Sequence, residues 1–128
     1  MKRLIGLVSL LAVFVFSAST VSAQACPGAN RELVAYASEK LTITDSTAAG
    51  FTASVYAPAG TTVAYANFSV ATNGLNVTMD GTTPTSTVGV ALAAAAVYGV
   101  CGSSNISRFL AIGTGGSATV NVIYYKAK

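Results

Sequence analysis

The stretch TTVAYANFSVATNGLNVTM, residues 61–79, decides the fold. Over residues 61–72 the side chains alternate with a period of two, which is typical of a β-strand. Asn73-Gly74 is a two-residue hairpin signal, and residues 75–79 then resume the alternation. The stretch therefore predicts two antiparallel strands joined by a tight turn. The side chains that share a face are Val63, Tyr65, Asn67 and Ser69 on one side of the first strand, Ala64, Ala66, Phe68 and Val70 on its other side, and Leu75, Val77 and Met79 on the inward side of the second.

Short segments of the same kind lie on both sides of this stretch. Residues 40–44 alternate, residues 51–56 are β-prone, and residues 106–112 and 117–125 flank a glycine-rich loop at 113–116. Gly, Pro, Asn and Asp separate the segments at short intervals. The chain is therefore predicted to be all-β, as an antiparallel β-sandwich or barrel-like domain of about six to eight short strands.

Two segments leave their structure open. Residues 31–40 hold four charged side chains and fit either the start of a strand or a single helical turn. Residues 91–98 are rich in alanine, which has the highest helix propensity. Gly89 and Gly99 bracket that run and leave it too short for a stable isolated helix. In a chain of short strands the run favours a strand or a strand-loop-strand.

The N-terminus has the pattern of an export signal. Lys2 and Arg3 precede an uncharged apolar stretch at residues 4–16, and small residues at 17–23 end in a cleavage pattern after Ala23. The alternatives are an uncleaved membrane anchor and a lipidated Cys26. The chain is thus expected to be exported, to the periplasm, the extracellular space or a particle, with membrane contact only through the signal segment.

The predicted domain organisation follows from that signal. Residues 1–23 form the signal peptide, residues 24–39 an N-terminal leader, and residues 40–128 a single β-sandwich domain. Cys26 and Cys101 are the two cysteines, and in an oxidising compartment they are expected to form one disulfide. The alternative is a pair of unpaired thiols.

Composition argues against several classes of function. Charged residues make up 9% of the chain and histidine is absent, so the commonest general base and metal ligand is missing. Loss of Lys2 and Arg3 with the signal lowers the formal net charge from +3 to +1, which argues against a nucleic-acid partner. We therefore expect no catalytic residues, no metal site and no cofactor.

The most patterned polar stretch runs from Asp80 through Gly81, Thr82 and Pro84. Its oxygens fit either a Ca²⁺ ion or a sugar hydroxyl, yet Ca²⁺ usually takes six to eight oxygens and several carboxylates. A turn that closes a hairpin explains the motif without a ligand. Tyr124-Tyr125 similarly fits either a binding face or a split, with one ring in the core and one on the rim.

The order of motifs resembles a known group of proteins. The chain has DGTTPT at residues 80–85, then a V-G and a small-residue run, then NISRFLAI at 105–112 and GGSATVNVIYY at 115–125. This order resembles a family of small, uncharacterised β-rich proteins encoded among the structural genes of tailed bacteriophages. A weaker resemblance, through the Asp80 turn, is to sugar-binding or accessory β-sandwich domains of secreted glycosidases.

The functional expectation is a non-catalytic structural or interaction protein. The resemblance to phage proteins implies a virion-associated role, whereas the signal peptide and the cysteines indicate export. The alternative is a secreted carbohydrate- or surface-binding β-sandwich module. The mature chain has few charges to keep strand edges apart, so a protein partner or self-association is expected.

Overall fold

The computed structural model describes Cys26 and residues 31–128, so the predicted signal peptide and most of the leader lie outside the described residues. The described part is all-β, as predicted, with one antiparallel sheet and two short helices. It has five strands rather than six to eight, because two of them are long, at 14 and 18 residues. The elements are β1 (Leu33–Ile43), α1 (Ala53–Tyr56), β2 (Tyr65–Thr78), β3 (Val90–Leu92), β4 (Val97–Cys101), α2 (Ser103–Arg108) and β5 (Leu110–Ala127).

The last strand, β5, lies in the middle of the sheet. It pairs with β1 on one side and with β2 on the other, and both pairings are antiparallel. The far side of β2 pairs first with β4 and then with β3, so these two short strands form one interrupted edge. The alanine run is therefore a strand-loop-strand.

The first strand begins inside the segment that was predicted to be a leader. Of the two structures left open for residues 31–40, the chain adopts the strand, which pairs with β5 from Leu33↔Ala127 onward. The backbone N–H of Lys128 donates to the Glu32 carbonyl at 3.0 Å. The start of β1 and the C-terminal residue therefore lie side by side.

The hairpin predicted at Asn73-Gly74 is wrong, because β2 continues through these residues and keeps pairing with β5. Asn73 has the positive φ, 54°, that such a turn requires. Here that conformation lies where the pairing between β2 and β5 shifts register. Its side-chain amide donates to the Ser117 carbonyl at 2.8 Å. A Cβ on Gly74 would lie 2.9 Å from the Leu92 carbonyl oxygen, so glycine lets β3 approach.

The register break changes which side chains face inward. Ala66, Phe68 and Val70 are buried before it, and Leu75 and Val77 after it. Met79, which was expected to point inward, is exposed, because β2 ends at Thr78. Residues from both halves of the sheet belong to one core cluster, so the sheet curves around a single core.

Two predicted strand segments, residues 51–56 and 106–112, are helical over part of their length. Residues 106–108 belong to α2, and Ile106 and Phe109 are buried three residues apart, a spacing that a helical turn brings onto one side. Residues 110–112, which include the buried Ala111, begin β5 and are a strand as predicted. In residues 51–56, Phe51 enters the core, and the N–H groups of Val55 and Tyr56 then donate to the Thr52 carbonyl. The rings of Phe51 and Phe109 stack at 4.1 Å between centroids, so both helical segments help to close the core.

Candidate interaction surfaces

The disulfide joins Cys26 to Cys101, as the sequence predicted, with 5.5 Å between the Cα atoms. Cys101 ends β4, opposite Tyr65 of β2. The bond therefore fixes Cys26 to the edge of the sheet opposite β1. Such a bond is typical of an oxidising compartment.

The Asp80 motif is a turn in the connection between β2 and β3. One carboxylate oxygen of Asp80 accepts from the Thr82 backbone N–H at 2.9 Å, and the other accepts from the Thr82 hydroxyl at 3.0 Å. These bonds hold the pKa of Asp80 below its usual value. Gly81 has a φ of 88° and Pro84 is buried. Both carboxylate oxygens are thus engaged within the turn.

A second carboxylate, Glu39, lies half-buried beside the core. Its Oε1 accepts from the Tyr124 hydroxyl and, at 3.0 Å, from the backbone N–H of Thr52 just before α1. Burial, and then Glu39, raise the pKa of the Tyr124 phenol well above its ordinary value. The Tyr36 hydroxyl donates to the Tyr56 carbonyl. These bonds attach the α1 segment to β1 and β5.

The tyrosine pair at 124 and 125 is split between core and rim. Tyr124 is fully buried, whereas Tyr125 lies on the opposite face of the sheet, which we call the outer face. There Asn67 lies between Gly99 and Ile123, and in the next row Ser69 lies between Val97 and Asn121. Of the face predicted from the alternation, Tyr65, Asn67 and Ser69 thus lie on the outer side. Val63 does not: it precedes β2 and is buried in the core.

The outer face holds a shallow depression of about 170 Å³ beside Asn67. The Asn67 side-chain oxygen is buried and has no hydrogen-bond partner among the described residues. Tyr65 lies next to it, with its ring over Gly99, and a Cβ on that glycine would lie 2.8 Å from the ring. Burial, and then the neighbouring Tyr125, raise the pKa of Tyr65. This part of the face combines amides, hydroxyls and aromatic rings without charge.

The interrupted edge formed by β3 and β4 carries the two most exposed large apolar side chains of the described residues. We call residues 88–99 the apolar edge. The exposed fractions are 66% for Val90, 53% for Val97 and 43% for Val88. Most of the alanines between Val90 and Val97 are exposed as well. No charged residue occurs between Asp80 and Arg108, so no charge protects this edge.

The other edge of the sheet, β1, differs in charge. It carries Glu39 and Lys40, and Glu32 just before it forms an ion pair with Lys128 at 3.0 Å. Lys126 lies 5.9 Å from the centre of the Tyr36 ring. Charged side chains of this kind discourage pairing at a free strand edge. The two edges are therefore chemically distinct.

Sequence reasoning missed the apolar edge. The sequence shows Val90 and Val97 only as members of an apolar run. It does not show that their strands lack a partner on one side. The signal available in the sequence was the uncharged interval between Asp80 and Arg108. Which strands lie at the edges depends on strand order, and alternation along one strand carries no information about that order.

Other kinds of site find little support in the described residues. Among them, no three His, Cys, Asp or Glu side chains come together as metal ligands would. In the same part of the chain, no helix has the length and apolar character needed to cross a membrane. No family model, no curated protein and no solved structure matches this chain.

Proposed function

We propose that this chain is an exported, non-catalytic interaction protein. The observation that supports this best is the apolar edge, where Val90 and Val97 are more than half exposed on strands with a free side. Exposed apolar surface of this kind usually marks a site of contact with another molecule. The resemblance to phage structural proteins supports a role in a particle, and we include a particle-associated location in the proposal.

The contacts of the carboxylates support a role without catalysis. The chain has four Asp and Glu residues, and three of them have a hydrogen-bond or ion-pair partner within the fold. Glu32 pairs with Lys128, Glu39 binds Tyr124, and Asp80 binds Thr82. General acid-base chemistry needs a titratable group free to exchange a proton with a substrate. Glu39 and Asp80 are thus engaged in bonds that shape the fold, whereas Glu32 is in an exposed ion pair of small energetic weight.

Export is supported by the disulfide together with the N-terminal pattern. A Cys26–Cys101 bond persists best in an oxidising compartment. Lys2 and Arg3, followed by a short apolar stretch, are the usual start of a secretory signal.

The experiment places a photo-reactive amino acid at position 90 and, as a matched control, at Thr42 on β1. The protein is produced with its signal, and the exported fraction is irradiated. We expect discrete cross-linked adducts at position 90 and few at position 42. A folded protein that gives no adduct at position 90 would refute an interaction role for this edge.

A second candidate function is binding of a neutral carbohydrate on the outer face. The unpartnered Asn67 oxygen favours it, because a buried acceptor gains from a hydroxyl donor, and the adjacent tyrosines provide apolar surface. Titration with neutral oligosaccharides, followed by amide chemical shifts, tests it. Shifts centred on Asn67 and Asn121 and lost in Asn67→Ala support this candidate, and unchanged spectra at millimolar sugar reject it.

A further inference from the structure

Among the described residues, the apolar edge has no partner strand on the side away from β2, so its backbone groups on that side are free to pair. The N–H of Gly102 donates to the Ala64 carbonyl at 2.9 Å, and the N–H of Val70 donates to the Ala96 carbonyl at 3.1 Å. In an antiparallel pair these bonds fall on alternate residues. The even-numbered residues of β4 therefore face β2, and the N–H and C=O groups of Val97 and Gly99 point away from the sheet.

The edge is also broken in the middle. Between β3 and β4 the N–H of Ala95 donates to the Val70 carbonyl at 2.7 Å, and Ala95 has a φ of 60°. The Tyr98 hydroxyl accepts from the Ala93 N–H at 2.8 Å and holds the break in place. A straight strand can therefore pair with only one half of this edge.

We infer that the occupant of the apolar edge is a second copy of this chain, paired edge to edge about a two-fold axis through the break at residues 93–96. The inference rests on the proposed interaction role and names its partner. A second copy related in this way presents its β3 to β4 and its β4 to β3. It bends where the first copy bends, so both halves of the edge gain a partner strand.

Charge supports pairing of like edges. The edge of a second copy has no charged residue between Asp80 and Arg108, so no like charges meet across the axis. Pairing the apolar edge with β1 would instead place Glu39 and Lys40 beside valines and alanines, where desolvation of charge is costly. Two identical edges also close the assembly, whereas two different edges would extend it into a filament.

The test is sedimentation of the purified, oxidised protein over a wide concentration range. We expect a monomer–dimer equilibrium without larger species. The double variant Val90→Lys/Val97→Lys is expected to weaken dimerisation by about tenfold or more for each lysine, because each charge would lose its water in the interface. Both positions are exposed in the monomer, so folding should persist, and a far-ultraviolet circular dichroism spectrum checks it.

The controls locate the contact. Val90→Thr/Val97→Thr keeps the branched shape and is expected to weaken the dimer less than the lysines do. Thr42→Lys, on β1, is expected to leave it unchanged. A monomer at millimolar concentration, a dimer that survives both lysines, or growth into larger species would each overturn the inference. If the protein is monomeric while position 90 cross-links to a different protein, the dimer is refuted and the interaction role stands.

Discussion

Tyr124 links the aromatic core to the polar rim of the sheet. Its ring lies 5.7 Å from that of Phe51 between centroids, and its hydroxyl donates to Glu39, which also holds the backbone N–H of Thr52. The phenol is thus favoured in its protonated form in the folded protein. In the unfolded chain a tyrosine ionises near pH 10.

The first prediction is a loss of stability at alkaline pH. Because the folded pKa of Tyr124 lies above the unfolded value, its contribution is complete below about pH 10 and is lost as the pH rises further. The free energy of unfolding should fall by about 1.4 kcal/mol per pH unit there for each such group. In Tyr124→Phe the dependence should be shallower, and stability at pH 7 lower by about 1.5–3 kcal/mol. Denaturant titrations at pH 7 to 11 measure both.

The control for Tyr124 is Tyr125→Phe, which changes a ring on the outer face. We expect its stability at pH 7 to stay close to that of the unchanged protein. If Tyr125→Phe and Tyr124→Phe lower stability equally, the bond to Glu39 does not have the structural role given to it.

The second prediction concerns Asp80. Both of its carboxylate oxygens bind Thr82, so excess Ca²⁺ should leave the melting temperature unchanged. Because the folded pKa of Asp80 lies below the unfolded value, the turn's contribution is present above about pH 4 and is lost as the pH falls. Thermal scans with and without Ca²⁺ decide the matter: a clear upward shift that disappears in Asp80→Ala would contradict the structural role.

At the scale of elements, the close approach of Tyr65 to Gly99 joins β2 to β4. A side chain on Gly99 would collide with the Tyr65 ring, so Gly99→Ala should destabilise the protein by about 1–3 kcal/mol. In a Tyr65→Leu background the added methyl group has more room, and its cost should be smaller. Denaturant unfolding of the four proteins of this cycle measures the coupling. Equal costs in both backgrounds would show that the ring is not what excludes the methyl group.

The sequence predicts a strand correctly where the alternation of side chains along that one strand is enough to identify it. Alternation placed Phe68 and Val70 on a common face, and both are buried. The same rule failed at Ile106 and Phe109, because a helix of six residues gives only one repeat of its period. Asn73-Gly74 misled for another reason: its backbone conformation is local, whereas the choice between a hairpin and a register break depends on β5.

The candidate surfaces can be predicted only where they depend on alternation along a single strand. Alternation groups Tyr65, Asn67 and Ser69 correctly on the outer face, but it wrongly adds Val63, which lies before β2 and enters the core. Alternation does not identify the apolar edge, because being at an edge is a property of the whole sheet. The disulfide was predictable since only one intramolecular pairing exists.

At the scale of the whole molecule, the Cys26–Cys101 bond closes a loop with a sequence separation of 75 residues. On the chain-entropy model, loss of the bond lowers the free energy of the unfolded chain, and hence the stability of the fold, by about 4.5 kcal/mol. We expect Cys26→Ser/Cys101→Ser to lower the melting temperature by roughly 10 °C or more. Calorimetry of the double variant tests this, and intact-mass analysis with and without reductant verifies the bond in the parent protein. Two thiols that alkylate freely without reductant would contradict it.

The same bond governs how the molecule responds to tension. Strand β5 and the chain end after it lie outside the closed loop, whereas β1 to β4 lie within it. Within the described chain, a pull on Cys26 and Lys128 can therefore release only residues 102–128, roughly 90 Å of extended chain, until the bond is reduced. After reduction the remaining strands can unfold as well, and the extended chain then reaches several times that length. An oxidised molecule under tension is thus a short tether, because the disulfide limits how far the chain can extend.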